Sequence, residues 1–296
     1  VSLLIATTLD DALAAVAAGA RPIAGGTDLV VGARHGKAPL PTSLVSIDRI
    51  DALRHVERTA DGGLRIGAGV SHHTIETHPL IGAEFSALAD ASALVGSPAT
   101  RHVGTLGGNV MNGSPAMDTG APLVVLGAEA ELATSSGTRR VSMADLWVGP
   151  GRTSAAAGEL CVALHLPARP ARSGSAYLRL EYRRAMEIAV VGAAAAVELD
   201  ADGAIAAVRV ALTAVAPTII EVTGLSGGAV AHAASAAAGA AAEQATPISD
   251  VRASDRYRRH CIGVMARRAV EAAARRATGE TIAIPVNRAL GIGAAS

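Results

Sequence analysis

Ala24-Gly25-Gly26-Thr27-Asp28-Leu29 and Thr105-Leu106-Gly107-Gly108-Asn109 decide how this chain is read. Each places two adjacent glycines where backbone N–H groups can turn outward. Glycine reaches positive φ freely and lets a ligand approach the main chain with no Cβ in the way. Successive amides in such a turn form a concavity for an anion. A helix starting after the first loop would add positive potential. Thr27, Thr105 and Asn109 supply further donors. Two such loops gripping from opposite sides suit two linked phosphates. A tight turn also uses a Gly-Gly pair, so either loop alone decides nothing. Gly67-Ala68-Gly69 is half of a dinucleotide fingerprint, since residue 72 is His. The sequence has no Gly-Lys-Ser/Thr phosphate loop, which disfavours ATP hydrolysis.

Around the first loop, β and α patterns alternate. Thr8 caps a helix with Asp11 at the capping-box position, Leu13 and Val16 form its apolar face, and Gly19 stops it. Residues 21–24 read as a strand, a helix opens at Asp28, and 44–47 read as a second strand, a small layered βα unit. Further on, 64–68 alternate as a strand does and 84–95 show helical spacing. Residues 96–118, rich in Gly, Ser, Pro and Asn, read as a long functional loop. Strands are expected over 128–133 and around Val141, and a linker over 167–174. Beyond it, 188–199 and 205–213 form a hairpin through Asp200-Ala201-Asp202-Gly203. An Ala-rich helix spans 230–245. Ser254 caps a long helix reaching about Arg276. Its buried stripe is Tyr257, Cys261, Val264, Ala269 and Ala272, with Arg258, Arg259, Arg267, Arg268, Arg275 and Arg276 facing out.

Composition narrows the class. Of 296 residues, 50% are apolar and 18% charged, which excludes a disordered chain. Lys and Arg together equal Asp and Glu at 26 each, and a coat for nucleic acid needs a basic excess. The aromatic residues Phe85, Trp147, Tyr177, Tyr182 and Tyr257 are too few for a base-stacking surface. Cys161 and Cys261 are too few for a disulfide framework or for an iron–sulfur cluster, which takes four thiolates. No apolar run is long enough to span a bilayer, and no basic stretch precedes an apolar one near the start. The expectation is a cytoplasmic protein with no membrane insertion. His72-His73 and nearby His78 invite a metal, yet adjacent histidines do not share a helix face, so loop or surface placement is expected.

Other stretches accompany the two loops in order: Arg65-Ile66-Gly67-Ala68, the run from Gly96 through Thr105, Asn112-Gly113-Ser114-Pro115-Ala116-Met117-Asp118 and Gly158-Glu159-Leu160. Arg183-Arg184-Ala185-Met186-Glu187-Ile188-Ala189, Ala214-Val215-Ala216-Pro217-Thr218 and Tyr257-Arg258-Arg259 follow. Together they resemble the FAD-binding medium subunit of the molybdenum hydroxylases, the xanthine dehydrogenase and carbon monoxide dehydrogenase family, over nearly the whole chain. The resemblance implies an α+β protein. A two-subdomain FAD-binding fold would occupy 1–170 (about 1–53 and 54–170). A CO-dehydrogenase-flavoprotein-like domain would follow over 171–278, with a loose tail over 279–296.

The resemblance also implies site roles. Pro22, Ile23, Ala24, Gly25, Gly26, Thr27, Asp28 and Leu29 would wrap the diphosphate and approach the ribityl chain. Thr105, Leu106, Gly107, Gly108 and Asn109 would close from the other side, with Asn109 near the flavin. Asp118 matches an acid that hydrogen-bonds FAD; on its own it reads as a helix cap. Cys161 stands where relatives often have Leu near the nucleotide, and Arg179 where they often have Lys reaching the cofactor; on its own Arg179 reads as a surface residue. No catalytic residue or metal site is expected here. The implied activity is electron transfer within an oxidoreductase. A large molybdopterin subunit and a small [2Fe–2S] subunit would be partners, in a dimer of heterotrimers. FAD would pass electrons to an external acceptor. A self-contained flavin oxidase or reductase of the related two-lobed fold, and a nucleotide-binding adapter without redox chemistry, remain the alternatives. Replacing Gly25 and Gly108 by Val is expected to abolish flavin retention with secondary structure intact.

Overall fold

A computed structural model describes residues 1–291. The chain opens with β1 (Ser2–Ile5), α1 (Leu9–Ala17), β2 (Arg21–Ile23), α2 (Leu29–Arg34) and β3 (Ser43–Ser46). α1 starts where expected: the Thr8 hydroxyl accepts the Asp11 amide at 3.2 Å and donates to the Asp11 carboxylate at 2.7 Å. It ends before Gly19, at φ +90°. The three strands make a parallel sheet in the order β1-β3-β2. Leu13 and Val16 of α1 pack with Val45, Ile47, Ile50 and Leu53, and this cluster reaches Leu160 and Val162 of the next layer.

That layer is antiparallel. β4 (Val56–Arg58) and β5 (Leu64–Gly67) lead into short helices: α3 (His72–Thr77), α4 (Pro79–Glu84), α5 (Ser86–Ser92), α6 (Pro98–Val103), α7 (Leu106–Asn112) and α8 (Gly120–Val125). β6 (Glu129–Thr134), β7 (Gly137–Ser142), α9 (Met143–Leu146), β8 (Trp147–Gly149), β9 (Arg152–Thr153) and β10 (Leu160–Leu166) complete it. The five-stranded order is β4-β5-β10-β6-β7, so the late strand β10 sits in the middle, buried along its whole length. A strand covered on both faces reads as an apolar run, and β10 does so apart from His165, which pairs with Glu131 at 2.6 Å.

The third layer is β11 (Ser173–Leu180), β12 (Val191–Leu199), β13 (Ile205–Thr213) and β14 (Ile220–Val222), antiparallel in chain order. Against it lie α10 (Val230–Gln244) and α11 (Asp255–Ala277), followed by α12 (Val286–Ala289). The alanine run of β12 and Gly174 of β11 let α11 lie close. A Cβ on Gly174 would overlap the Ala273 carbonyl oxygen. Ser254 caps α11, accepting the Tyr257 amide at 3.2 Å. No helix among the described residues is long and apolar enough to cross a membrane.

Three expectations are corrected. Residues 96–118 are not one loop, because Ser97 caps α6 with Pro98 at its first position and Thr105 caps α7. On α11, Tyr257 is exposed while Arg258 and Arg276 turn inward. Arg258 donates to the Val190 and Ala214 carbonyls and pairs with Asp250 at 2.7 Å. Arg276 pairs with fully buried Asp90 at 2.6 Å. An arginine stem covers apolar surface while its planar head satisfies several acceptors, so helix-face patterning misplaces it. The stretch after Thr278 is also not loose where it is described. Asp90 accepts the Val286 amide at 2.9 Å, and the buried Asn287 side chain brackets the Arg179 main chain. Residues 292–296 of the expected tail lie outside the described residues.

Candidate functional site

Pro22 and Ile23 end β2, residues 24–28 turn, and Leu29 opens α2. Gly26 has φ +68°, which a side chain would strain. Gly25 answers a different need, since a Cβ there would overlap the carbonyl oxygen of Val103, at the end of α6. A Cβ built on Gly104 would lie 3.4 Å from the Thr27 hydroxyl. The first loop therefore rests on residues 103–104, which run directly into the second. The fold brings the first glycine loop against the residues that lead into the second. Among the described residues, no backbone carbonyl accepts the amides of Gly25, Gly26, Thr27 or Asp28.

The second loop is built otherwise. Leu106 N–H donates to the Val70 carbonyl and Gly107 N–H to the Ala68 carbonyl, both at 2.9 Å. Gly108 N–H donates to the Thr105 hydroxyl at 3.1 Å and Asn109 N–H to the Thr105 carbonyl at 3.0 Å. All four amides are committed inside the protein. Gly107 is there for close packing, because a Cβ would come within 2.5 Å of the Ala68 Cβ. Gly108 is exposed, and a Cβ on it would approach only the Thr105 hydroxyl, at 2.9 Å. What this loop can offer is side chains: Thr105 at the cap and half-buried Asn109, whose Oδ1 accepts the Thr119 hydroxyl at 2.6 Å.

Behind the second loop lies a buried polar cluster that sequence spacing did not reveal. Asp118 accepts the Tyr177 hydroxyl at 2.7 Å on one oxygen and Arg179 Nη1 at 2.8 Å on the other. Arg179 is fully buried, not at the surface. It also donates to Glu181 at 3.0 Å and to the Leu94 carbonyl at 2.9 Å. Burial alone would lower the Arg179 pKa, but the carboxylates of Asp118 and Glu181 outweigh it and hold the guanidinium charged. Burial pushes the Asp118 carboxyl up against the pull of Arg179 and Tyr177. The Tyr177 phenol is driven well above its ordinary value by burial and by Asp118. Alternation along β11 puts Tyr177 and Arg179 on one face. Their convergence on Asp118 is set by packing alone.

Cys161 stands apart from these polar groups, buried on β10 with its thiol pushed up to about 12 by burial. Its neighbour Val162 accepts the Ala68 amide, and Ala68 carries Gly107, so β10 backs the second loop. His72 contradicts the expected surface placement. It is buried beside Gly104, its amide donates to the Gly104 carbonyl, and its Nδ1 has no partner among the described residues. Burial, with Arg101 nearby, lowers its pKa to about 4 and keeps the ring neutral.

Residues 1–169 match the family described as the FAD binding domain in molybdopterin dehydrogenase. Residues 176–273 match the CO dehydrogenase flavoprotein C-terminal domain. The carbon monoxide dehydrogenase medium chain of Afipia carboxidovorans is 35% identical over 263 residues, covering 87% of this chain and 90% of that protein. The xanthine dehydrogenase FAD-binding subunit of Escherichia coli O157:H7 is 30% identical over 283 residues, covering 93% and 96%. The crystal structure of a cyanide-inactivated Cu,Mo-CO dehydrogenase contains a chain that superimposes with a TM-score of 0.87 at 31% identity, over 93% of this chain and 98% of that one. A chain of quinoline 2-oxidoreductase from Pseudomonas putida 86 does so with a TM-score of 0.85 at 28% identity, over 93% and 97%. With a two-part fold matched along both parts, the chain belongs to the FAD-binding medium-subunit family of the molybdenum hydroxylases, the flavoprotein subunits of xanthine and CO dehydrogenase-type oxidoreductases.

Proposed function

We propose that this chain holds FAD across the seam of its two glycine loops and serves as the electron-transfer subunit of a three-subunit molybdenum hydroxylase. The observation that carries the placement is the open row of amides at Gly25–Asp28, set against the surface of the second loop. Unpaired main-chain donors on a turn suit the oxygens of a linked diphosphate. Pro22, Ile23, Ala24 and Leu29 frame that turn. Thr105, Leu106, Gly107, Gly108 and Asn109 form the facing wall, with Thr105 and Asn109 supplying polar side chains. Asp118 and Arg179 act from behind this wall, and Cys161 belongs to its apolar backing.

When bound, FAD supplies the redox chemistry, and the protein contributes position and electrostatics. Both cysteines are buried and free, and an iron–sulfur cluster takes four thiolates. In this reading, which follows the family, [2Fe–2S] clusters delivering electrons belong to a small partner subunit, and the molybdopterin centre that oxidises substrate to a large one. The complex is read as a dimer of such heterotrimers in the cytoplasm, passing electrons to an external acceptor. Purified protein is expected to take up one FAD per chain. The bound flavin should be bleached by the reduced iron–sulfur subunit. A protein that stays colourless after incubation with FAD refutes the reading. Flavin that binds but is never reduced by that partner leaves a nucleotide-binding adapter.

A further inference from the structure

We propose that Thr119 is a positioning residue that turns the Asn109 side chain into a hydrogen-bond donor toward the ligand at the loop seam. The proposal rests on the FAD reading above. A primary amide carries its acceptor oxygen and its donor nitrogen on one carbon, so holding one directs the other. The fully buried Thr119 hydroxyl gives its single proton to Asn109 Oδ1 at 2.6 Å. The oxygen is thereby held inward. The Nδ2 group is left to serve an acceptor outside: a ring carbonyl, a ring nitrogen or a hydroxyl.

Thr119 can impose this because it is itself held. Its β-branched side chain is stiff at χ1. Asp118, next to it, is anchored by Tyr177 and Arg179 of β11. The Met117 and Pro115 carbonyls both accept the Thr213 hydroxyl of β13, at 2.8 and 2.9 Å. The polarity of a group on the second loop is thus set from the C-terminal sheet.

Apoprotein and FAD provide the test. Thr119→Val keeps the shape and removes the proton. It is expected to weaken FAD binding about tenfold, the equivalent of one neutral hydrogen bond, and to displace the visible flavin bands. Thr119→Ser should restore both. In an Asn109→Ala background, Thr119→Val should add nothing. The positioning role is overturned if Thr119→Val binds FAD with unchanged affinity and bands, or if its effect is the same size without the Asn109 side chain. Circular dichroism checks that each variant folds, and Thr119→Ala, which also lacks the hydroxyl, carries the test should Thr119→Val not. Failure of the unchanged protein to take up FAD would overturn the functional reading and this proposal with it.

Discussion

Among the described residues, the amides of Gly25 to Asp28 in the first glycine loop have no carbonyl partner, whereas in the second those of Leu106 to Asn109 are all taken up inside the protein. The two stretches look alike in sequence, yet their glycines answer different demands. Gly26 supplies a backbone angle; Gly25 and Gly107 allow close approach of Val103 and Ala68. Of the two loops, the first alone keeps amides without a carbonyl partner among the described residues. The second presents side chains on a wall stiffened from behind. In the proposed binding mode, a symmetric grip by two rows of amides gives way to main chain on one side and oriented polar groups on the other.

The sharpest way to break this comparison is to remove the support behind the second loop. Asp118→Ala leaves Arg179 buried with one carboxylate in place of two. Glu181 still neutralises the guanidinium, but the Tyr177 hydroxyl is left buried without its acceptor, which costs about 1–3 kcal/mol on top of the cavity left by the carboxyl. Urea unfolding of the apoprotein should show this loss. Were Asp118 mainly a ligand contact, apoprotein stability would hold and only FAD affinity would fall.

Acid tests the same wall through His72. Its folded pKa, about 4, lies below the ordinary 6.5, so the folded state binds fewer protons than the unfolded one between these values. Its contribution is intact above pH 6.5 and is lost as pH falls toward 4, in total about 3 kcal/mol. His72→Asn should flatten that part of the stability–pH curve. An unchanged slope would show that water reaches the ring.

Smaller substitutions separate packing from exposure. Gly25→Ala drives a methyl group into the Val103 carbonyl and should cost about 1–3 kcal/mol while parting the loops. Gly108→Ala faces only the Thr105 hydroxyl and should change stability by about 1 kcal/mol or less. The paired replacement of Gly25 and Gly108 by Val therefore mixes two effects. Flavin loss from Gly25→Val would report a broken seam. Equal stability losses for the two alanine variants would show that both loops are packed alike.

Much of this was legible in the sequence for definite reasons. Thr8, Gly19 and Ser254 mark helix ends through local hydrogen bonding, and the β12–β13 hairpin carries its turn residues. Local rules work where the partner is a few residues away. The two short helices within 96–118 were hidden by glycine content, although Ser97-Pro98 and Thr105 carry capping signals that could have found them. The cluster of Asp118, Tyr177 and Arg179, and the pairing of Asp90 with Arg276, join residues distant in the chain. A single sequence has no local signature for such contacts. The commitment of the Leu106 and Gly107 amides was hidden likewise, because their acceptors, Val70 and Ala68, lie beyond the end of β5, whereas the Gly108 and Asn109 amides bond locally to Thr105.

The finest test compares the two threonines. Thr105 accepts the Gly108 amide and caps α7, so Thr105→Ala should cost about 1 kcal/mol of apoprotein stability whatever the ligand does. Thr27 sits in the turn whose amides are open, and its hydroxyl faces Gly104 without capping a helix. Thr27→Ala should leave apoprotein stability within about 0.5 kcal/mol, as for a surface change. Its effect should appear only in FAD affinity. Titration of both apoproteins with FAD, beside their urea curves, gives the four numbers required. If Thr27→Ala destabilises the apoprotein as much as Thr105→Ala does, the first loop is held by its own side chains. Its open amides would then lose their standing as the part of the seam kept free for a ligand.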